Sequence, residues 1–330
     1  MRRAHIQLLG FCRSKLFKQL AKSSPVMLVD VGARGGIHPR WELIRESIKV
    51  LGFEPDLEEC KRLNEEFKKN HAYLPIVLHN RSGTTEMNIL RNPANSSIYL
   101  PNFSLWNRFP SLYELETTKS INVQCNTLDN ILKANNIHNV DFLKIDTQGS
   151  ELQVLQGARK TLQKSIFGVD VEVEFSQLYE NQSLFADVDI YLRDLGFSLF
   201  DINLARLKRN KYNNVYSKGQ VLWAHALYFK DFILNRNINS NYLNFGKTIR
   251  AIAIAELYGF SDFALELLDF YYNKRIIGVT TYENIKKLLD KDKLLIKHQL
   301  LKNMRSAIGN YLKRRIPSIY NLIKKDYDGI

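Results

Sequence analysis

A chain of 330 residues, 45% apolar and 11% aromatic, has enough apolar content for one large or two ordinary domains with a ligand crevice, which excludes a disordered protein. No run approaches the roughly eighteen uncharged apolar residues of a membrane span, so a soluble protein is expected. The formal charge of +13 attracts phosphates of any origin, and the three scattered cysteines, Cys12, Cys60 and Cys125, encode neither a disulfide framework nor a Cys-x-x-Cys centre, which fits a reducing, cytoplasmic setting.

Residues 1–25 read as a basic N-terminal helix. Arg2, Arg3, Arg13, Lys15, Lys18 and Lys22 precede any acid, and Arg13 interrupts the apolar run before it reaches secretory length. Ile6, Leu9, Leu16 and Leu20 share a helical face, which suits packing on the domain or peripheral contact with an anionic membrane. From Val26 to about Lys230, short β-branched runs alternate with helical stretches, so residues 26–234 are expected to form an α/β domain with a doubly wound, mostly parallel sheet. The expected strands are Val26–Val31, Val50–Glu54, Tyr73–His79, Thr85–Leu90, Asp141–Asp146, Phe167–Phe175, Ser198–Ile202 and Val221–Phe229. Helices are expected at Glu58–Lys69 and Glu151–Gln163, where apolar residues recur at helical spacing.

Between them, Asn92–Lys119 reads as a long loop with scattered aromatics, either a substrate lid or a packed surface excursion. An Asn-rich linker at residues 235–246 leads to a helical C-terminal region, 247–330, with helices at Thr248–Tyr258, Asp262–Tyr272 and from Tyr282 to about Lys302. Twelve Lys and Arg against five Asp and Glu after Tyr282 make its end basic. Such an appendage is expected to guide acceptor or membrane encounter, so that deleting residues 239–330 spares cofactor binding.

The sharpest local signal is Val29-Asp30-Val31-Gly32-Ala33-Arg34-Gly35-Gly36, a glycine-rich turn leaving the first strand, where glycines admit positive φ and a close ligand. Glu54, in Gly52-Phe53-Glu54-Pro55-Asp56, lies 18 positions after Gly36, the separation at which an acid accepts the hydroxyls of a ribose. Together they point to an adenosine-type ligand. The spacing is not the Gly-x-Gly-x-x-Gly of dinucleotide proteins, which argues against a nicotinamide dehydrogenase.

Cys125-Asn126-Thr127-Leu128-Asp129 and Val140-Asp141-Phe142-Leu143-Lys144-Ile145-Asp146-Thr147-Gln148-Gly149-Ser150-Glu151-Leu152, with the glycine turn and Phe53-Glu54-Pro55, resemble the FkbM family of methyltransferases. Val171-Glu172-Val173-Glu174-Phe175 and Leu195-Gly196-Phe197-Ser198-Leu199-Phe200-Asp201 look like continuations of that pattern, which spans about Val26 to Lys230. The resemblance implies S-adenosylmethionine as cofactor and a saccharide or other hydroxyl-bearing small molecule as acceptor. It further implies that Asp30, Gly32, Ala33, Arg34 and Gly36 line the cofactor, that Glu54 holds its ribose and that Asp146 faces the reacting centre. Gln148 stands where many members carry Glu, so no charge is expected to be required there.

Removal of a hydroxyl proton calls for a carboxylate or His at a strand end, and Asp146, Glu174 and His79 are the candidate bases, in that order. Asp146 alternatively orients the cofactor ammonium, and His79 alternatively packs beside the adenine. Asp170, Glu172 and Glu174 alternate with valines and share one strand face, where a Lys144–Glu172 ion pair is expected. None of the seven histidines shows ligand spacing, so no metal is expected from local sequence. A nucleic-acid methyltransferase is disfavoured because Asp146-Thr147-Gln148-Gly149 replaces the Asp/Asn-Pro-Pro-aromatic block of enzymes acting on base amino groups. A catalytically silent scaffold remains an alternative on fold grounds alone.

Overall fold

A computed structural model describes residues 9–67, 70–110, 112–234 and 240–290. Ten strands follow in chain order: β1 (Val26–Val31), β2 (Ile48–Phe53), β3 (His71–Leu74), β4 (Val77–Leu78), β5 (Gly83–Leu90), β6 (Thr117–Asn126), β7 (Phe142–Ile145), β8 (Gly168–Glu174), β9 (Phe197–Leu207) and β10 (Gln220–Lys230). Seven form one sheet in the order β3-β2-β1-β7-β8-β10-β9, in which the first five are parallel and β10 runs antiparallel to both neighbours. The chain winds outward from β1 to β3, then returns to lay β7 against the free side of β1. That reversal opens a crevice at the carboxyl ends of β1 and β7.

The strands are apolar on both faces because each face is covered. Val29, Val31, Leu143, Ile145, Val169, Val171 and Val173 point one way, into a core with α3 (Leu128–Ala134), α4 (Glu151–Gly157), α5 (Arg159–Lys164) and α6 (Phe185–Asp194). Leu28, Val50, Phe142, Leu227 and Phe229 point the other way and meet α1 (Lys15–Ser23), α7 (Phe245–Leu257) and α8 (Ser261–Asn273). The remaining helix used below, Leu57–Glu66, follows β2 and is capped by Asp56.

Two sequence expectations change. The strand expected over Tyr73–His79 is divided at Pro75, which cannot donate to a ladder. Beyond it, Val77–Leu78 joins a second, three-stranded sheet of order β4-β6-β5. The loop expected over Asn92–Lys119 gives way at Thr117 to β6, which pairs antiparallel with β5. Its Ile121, Val123 and Cys125 alternate with polar residues, a usable signal. Only Cys125 among its residues is buried, so it lacks the apolar density of the other strands. The middle of that loop packs as an excursion, Trp106, Phe109 and Leu115 forming a small core with Leu178, Tyr179 and Leu222, whereas its first part, residues 93–98, lines the crevice at the ends of β1 and β7.

The N-terminal helix packs on the domain through Phe17 and Ala21, while Arg2, Arg3 and Ile6 lie outside the described residues. The helical C-terminal region is present, with a third helical stretch over 279–290 and everything beyond 290 outside the described residues. Among the described residues no helix is long and apolar enough to cross a membrane.

Its first helix is integral to the sheet. From Lys247 to Leu257 every residue of α7 is buried, and the two ends carry charge that is met internally. Lys247 Nζ donates to Asp141 Oδ1 at 2.8 Å, to Val140 O at 2.9 Å and to Ser165 O at 2.5 Å, while Arg250 Nε lies 2.9 Å from Asp141 Oδ2. Burial pushes the Asp141 carboxyl up, but these two cations outweigh it and hold it below the usual carboxylate range. At the other end, Glu256 accepts the backbone N–H groups of Gly10 and Phe11 at 2.8 Å and of Cys12 at 2.5 Å. Deletion of residues 239–330 would therefore strip one sheet face, and the expectation that it spares cofactor binding falls with that packing.

Asp141→Ala leaves two buried cations without a counter-charge and should cost about 3–5 kcal/mol, read as a lowered midpoint in urea unfolding. A loss below ~1 kcal/mol would show that the Lys247 and Arg250 contacts do not hold α7 to the sheet.

Candidate active site

At the reversal between β1 and β7 lies a cavity of 660 Å³, within the roughly 300–1,000 Å³ typical of small-molecule sites. One side is built by the turn after β1 (Gly32, Arg34), the end of β2 (Glu54 to Leu57), the Pro75–Leu78 stretch and the loop after β7 (Asp146 to Gln148). The opposite wall comes from the second sheet, through Met87, Ile89, Ile121 and Val123 with Lys119, Asn122 and Gln124 among them, and from the 93–98 segment.

The glycine turn is forced by proximity. Gly32 has φ +73°, and a Cβ there would stand 1.9 Å from the Asp146 carbonyl oxygen, so the two strand ends touch only because this residue has no side chain. Lys144 fixes the contact: its Nζ donates to Gly32 O at 3.1 Å and lies 3.2 Å from Asp30 Oδ1. The expected Lys144–Glu172 pair does not form, because the register sets Lys144 level with Asp30 on one side and Asp170 on the other, two residues below Glu172. Asp30 is buried as the partner of Lys144 and does not line the cavity.

Of the turn residues, Gly32 and Arg34 face the cavity. Ala33 is buried in a cluster with Cys60, Leu63, Phe67 and Tyr73, and Gly36 (φ +84°) backs onto the Phe67 ring, so both shape the turn from behind. The amides of Gly32 and Ala33 donate to Phe53 O, and that of Gly35 to Glu59 Oε1 at 2.8 Å. Those donors are occupied, which leaves the Arg34 guanidinium, 2.6 Å from Asp56 Oδ2, as the cation of the turn that faces the cavity.

Glu54 is buried at the cavity wall. Its Oε1 accepts the Asp56 N–H at 3.0 Å with Arg34 Nη2 at 3.6 Å, and its Oε2 has no hydrogen bond among the described residues. Burial pushes this carboxyl up despite those contacts. A buried carboxylate oxygen open to a nucleoside-sized cavity fits a ribose diol.

Asp146 and Glu172 form the reactive-looking pair. Gln148, with φ +58°, donates through Nε2 to Asp146 Oδ1 at 2.9 Å and to Glu172 Oε2 at 2.8 Å, while its Oε1 lies 2.9 Å from the Tyr179 hydroxyl. Burial raises the Glu172 carboxyl well above its usual range, and the nearby charges of Asp146 and Glu174 raise it further. Asp146 goes the other way: burial would raise it, but Lys144 and the Gln148 hydrogen bond hold it low. Two carboxyls in contact cannot both ionise cheaply, so Glu172 keeps the proton and Asp146 the charge. His225, level with Glu172 on β10, completes a group with Asp146 and Glu172 whose nearest donor atoms lie within 4.8 Å of one another.

Glu151 explains the spacing of the Lys-Ile-Asp-x-x-Gly-x-Glu block. Its carboxylate accepts Thr147 N at 2.7 Å, Thr147 Oγ1 at 2.9 Å and Gly149 N at 3.0 Å, folding the loop that presents Asp146 and Gln148. Glu174 is buried away from the cavity lining, beside Glu151 and Gln182, and burial raises it well above its usual range. His79 lies outside the cavity lining as well: its backbone N–H donates to Asn126 O, and burial followed by Arg81 lowers its imidazole. Gln148, Tyr179 and His225 went unrecognised as a network because they come from three separate segments; the β6 wall was missed with its strand.

The Methyltransferase FkbM domain model matches residues 30–199, which takes in the glycine turn, Glu54, Asp146 and Glu174. The chain belongs to the FkbM methyltransferase family. As a member it is an S-adenosylmethionine-dependent methyltransferase. It is similar to the 2-O-methyltransferase NoeI of Sinorhizobium fredii, 26% identical over 177 residues that cover 49% of this chain and 69% of the relative. It is also similar to the crystal structure of methyltransferase FkbM from Methylobacillus flagellatus (16% identity, TM-score 0.37, 62% of this chain and 43% of that one). Another similar structure is TrmK of M. capricolum in complex with S-adenosyl-homocysteine (12% identity, TM-score 0.33, 86% and 97%). The chain thus spans less than half of the Methylobacillus protein.

Glu172→Gln keeps the shape of the protonated side chain and should fold. Because the Glu172 carboxyl is raised in the folded state, the parent loses stability as pH climbs from the unfolded carboxyl value towards the folded one. The variant should therefore gain in melting temperature relative to the parent as pH rises above the unfolded carboxyl value. A constant difference above that value would show that Glu172 ionises normally.

Proposed function

We propose that this FkbM-family enzyme methylates a hydroxyl oxygen on a glycan, nucleotide-sugar or lipid-linked saccharide. The reading is carried by Asp146 at the cavity wall, where Gln148 holds its Oδ1 at 2.9 Å and Lys144 keeps its carboxyl low, beside a Glu172 whose carboxyl burial raises well above the usual range. A saccharide hydroxyl must shed its proton during transfer, whereas an amine can lose it afterwards, so a fixed carboxylate at the reacting end suits an alcohol acceptor. The similarity to NoeI, named as a 2-O-methyltransferase, supports the same choice of oxygen.

Bound S-adenosylmethionine supplies an electrophilic methyl group on a sulfonium. In this assignment Glu54 accepts the ribose hydroxyls, Arg34 faces the amino-acid carboxylate, and Gly32 lets the end of β1 close onto the Asp146 backbone that shapes this part of the cavity. Asp146 receives the acceptor proton, and Gln148 keeps its carboxylate aimed by holding one oxygen. The β5–β6 wall excludes water from the transfer line and offers Ile121 and Val123 to the face of a sugar ring. Most of the rate must come from aligning acceptor oxygen, methyl carbon and sulfur, since in-line displacement is sensitive to position. Glu174 and His79 rank below Asp146 as bases because neither lines the cavity.

Labelled methyl donor incubated with the enzyme and saccharide-containing extracts should yield an alkali-stable methyl ether on a sugar carbon. Labelling of RNA or of protein side chains instead would refute the acceptor class. Asp146→Asn should lower kcat by about 10²–10⁴-fold, and Glu54→Ala should weaken donor binding in calorimetry by at least ~10-fold, the order expected for lost charged hydrogen bonds. Unchanged donor affinity in Glu54→Ala would refute the ribose assignment.

A further inference from the structure

The hairpin joining β9 to β10 contains no acid from Ile202 to Phe229, yet it carries Arg206, Lys208, Arg209, Lys211 and Lys218. Arg108, from the excursion after β5, adjoins it: its carbonyl accepts the Asn210 N–H at 3.0 Å, and Arg209 lies over the Phe109 ring at 4.3 Å. None of these six cations has a carboxylate partner among the described residues.

Six like charges left uncompensated on one projection repel one another unless an anionic partner meets them. Among the Asn and Ser residues of the tip between them stand three exposed apolar or aromatic side chains: Tyr216 is 90% exposed and Tyr212 and Val215 are each 59% exposed. Basic residues flanking exposed tyrosines form the pattern of an interfacial anchor, with the rings at headgroup depth and the cations on anionic lipid.

Its place in the fold gives the pattern a use. β9 ends and β10 begins at the carboxyl end of β8, so the hairpin projects from the same end of the sheet as the cavity mouth. β10 and β9 stand two and three strand positions from β7, about 10 and 14 Å at ~4.8 Å per strand. We propose that the 206–218 hairpin, with Arg108, docks the enzyme on an anionic lipid bilayer and turns the cavity mouth towards it.

Docking is tested with the full chain and vesicles of phosphatidylcholine with or without about 30% phosphatidylglycerol, whose anionic surface attracts basic residues. Expected are sedimentation with the anionic vesicles, release by high salt, and at least ~10-fold weaker binding for Lys208→Glu/Lys211→Glu/Lys218→Glu. A second variant, Tyr216→Ser, should weaken binding without changing its salt dependence. Because the chain is basic throughout, Lys133→Glu/Lys160→Glu/Lys164→Glu, the same charge change at the opposite end of the sheet, serves as control and should bind as the parent does. Equal loss in both triple variants, or full binding by the hairpin variant, overturns the proposal. So does binding of soluble pyrophosphate at the hairpin without any vesicle binding, which would assign it to a phosphorylated acceptor. Vesicle binding needs neither methyl donor nor acceptor, so its outcome is independent of the transfer assignment.

Discussion

The site depends on one close approach, that of the backbone at Gly32 to the backbone at Asp146. Two parallel strands that neighbour each other in space but not in sequence end at the same level here, and the absence of a side chain at Gly32 lets their exits touch. Lys144 sits beneath the contact, its ammonium held between Asp30 and Gly32 O. Burial alone would lower that amine, and Asp30 and Asp146 reverse the effect, so it stays charged. The cation therefore serves two ends: it neutralises the buried Asp30 and keeps Asp146 ionised at the cavity wall.

From that point the polarity of the site falls into two compartments. On the β2 side, Glu54, Arg34 and Asp56 form a chain of alternating charge around the place a nucleoside would occupy. On the β8 side the acids outnumber the cations, and the excess is managed by proton sharing and by amide donors rather than by ion pairs. Gln148 is central to this arrangement. A Glu in its place would add another carboxyl to a cluster that already contains Asp146, Glu172 and Glu174. The amide donates to two of them while its oxygen faces Tyr179.

Much of this was legible in the sequence because it is local. The glycine turn, the acid ending the second strand and the block around Asp146 each lie within one segment, and the alternation at Asp170, Glu172 and Glu174 assigns strand faces without any tertiary information. The partner of Lys144 was misjudged because it depends on register, and a two-residue offset between β7 and β8 replaces Glu172 by Asp170 at its level. Pro75 was a visible signal against a continuous third strand. The role of β6 was hidden for another reason: its inward residues face a cavity rather than a core, so it lacks the apolar density that marks buried strands. Helix α7 was recognised as a helix, but its almost continuous burial follows from lying between a sheet face and two other helices, which no single segment reveals.

The clasp between Glu256 and the amides of Gly10, Phe11 and Cys12 joins points 244 to 246 positions apart. During synthesis, the underside of β1 therefore lacks its α7 cover until the chain has grown past that helix. At about 5–20 residues per second that interval is roughly 10–45 s, long enough for an uncovered apolar face to need shelter from other nascent chains. Closure of this face is thus governed by a helix made long after the strand it covers, and the segment at residues 10–12 finds its seat only when α7 arrives.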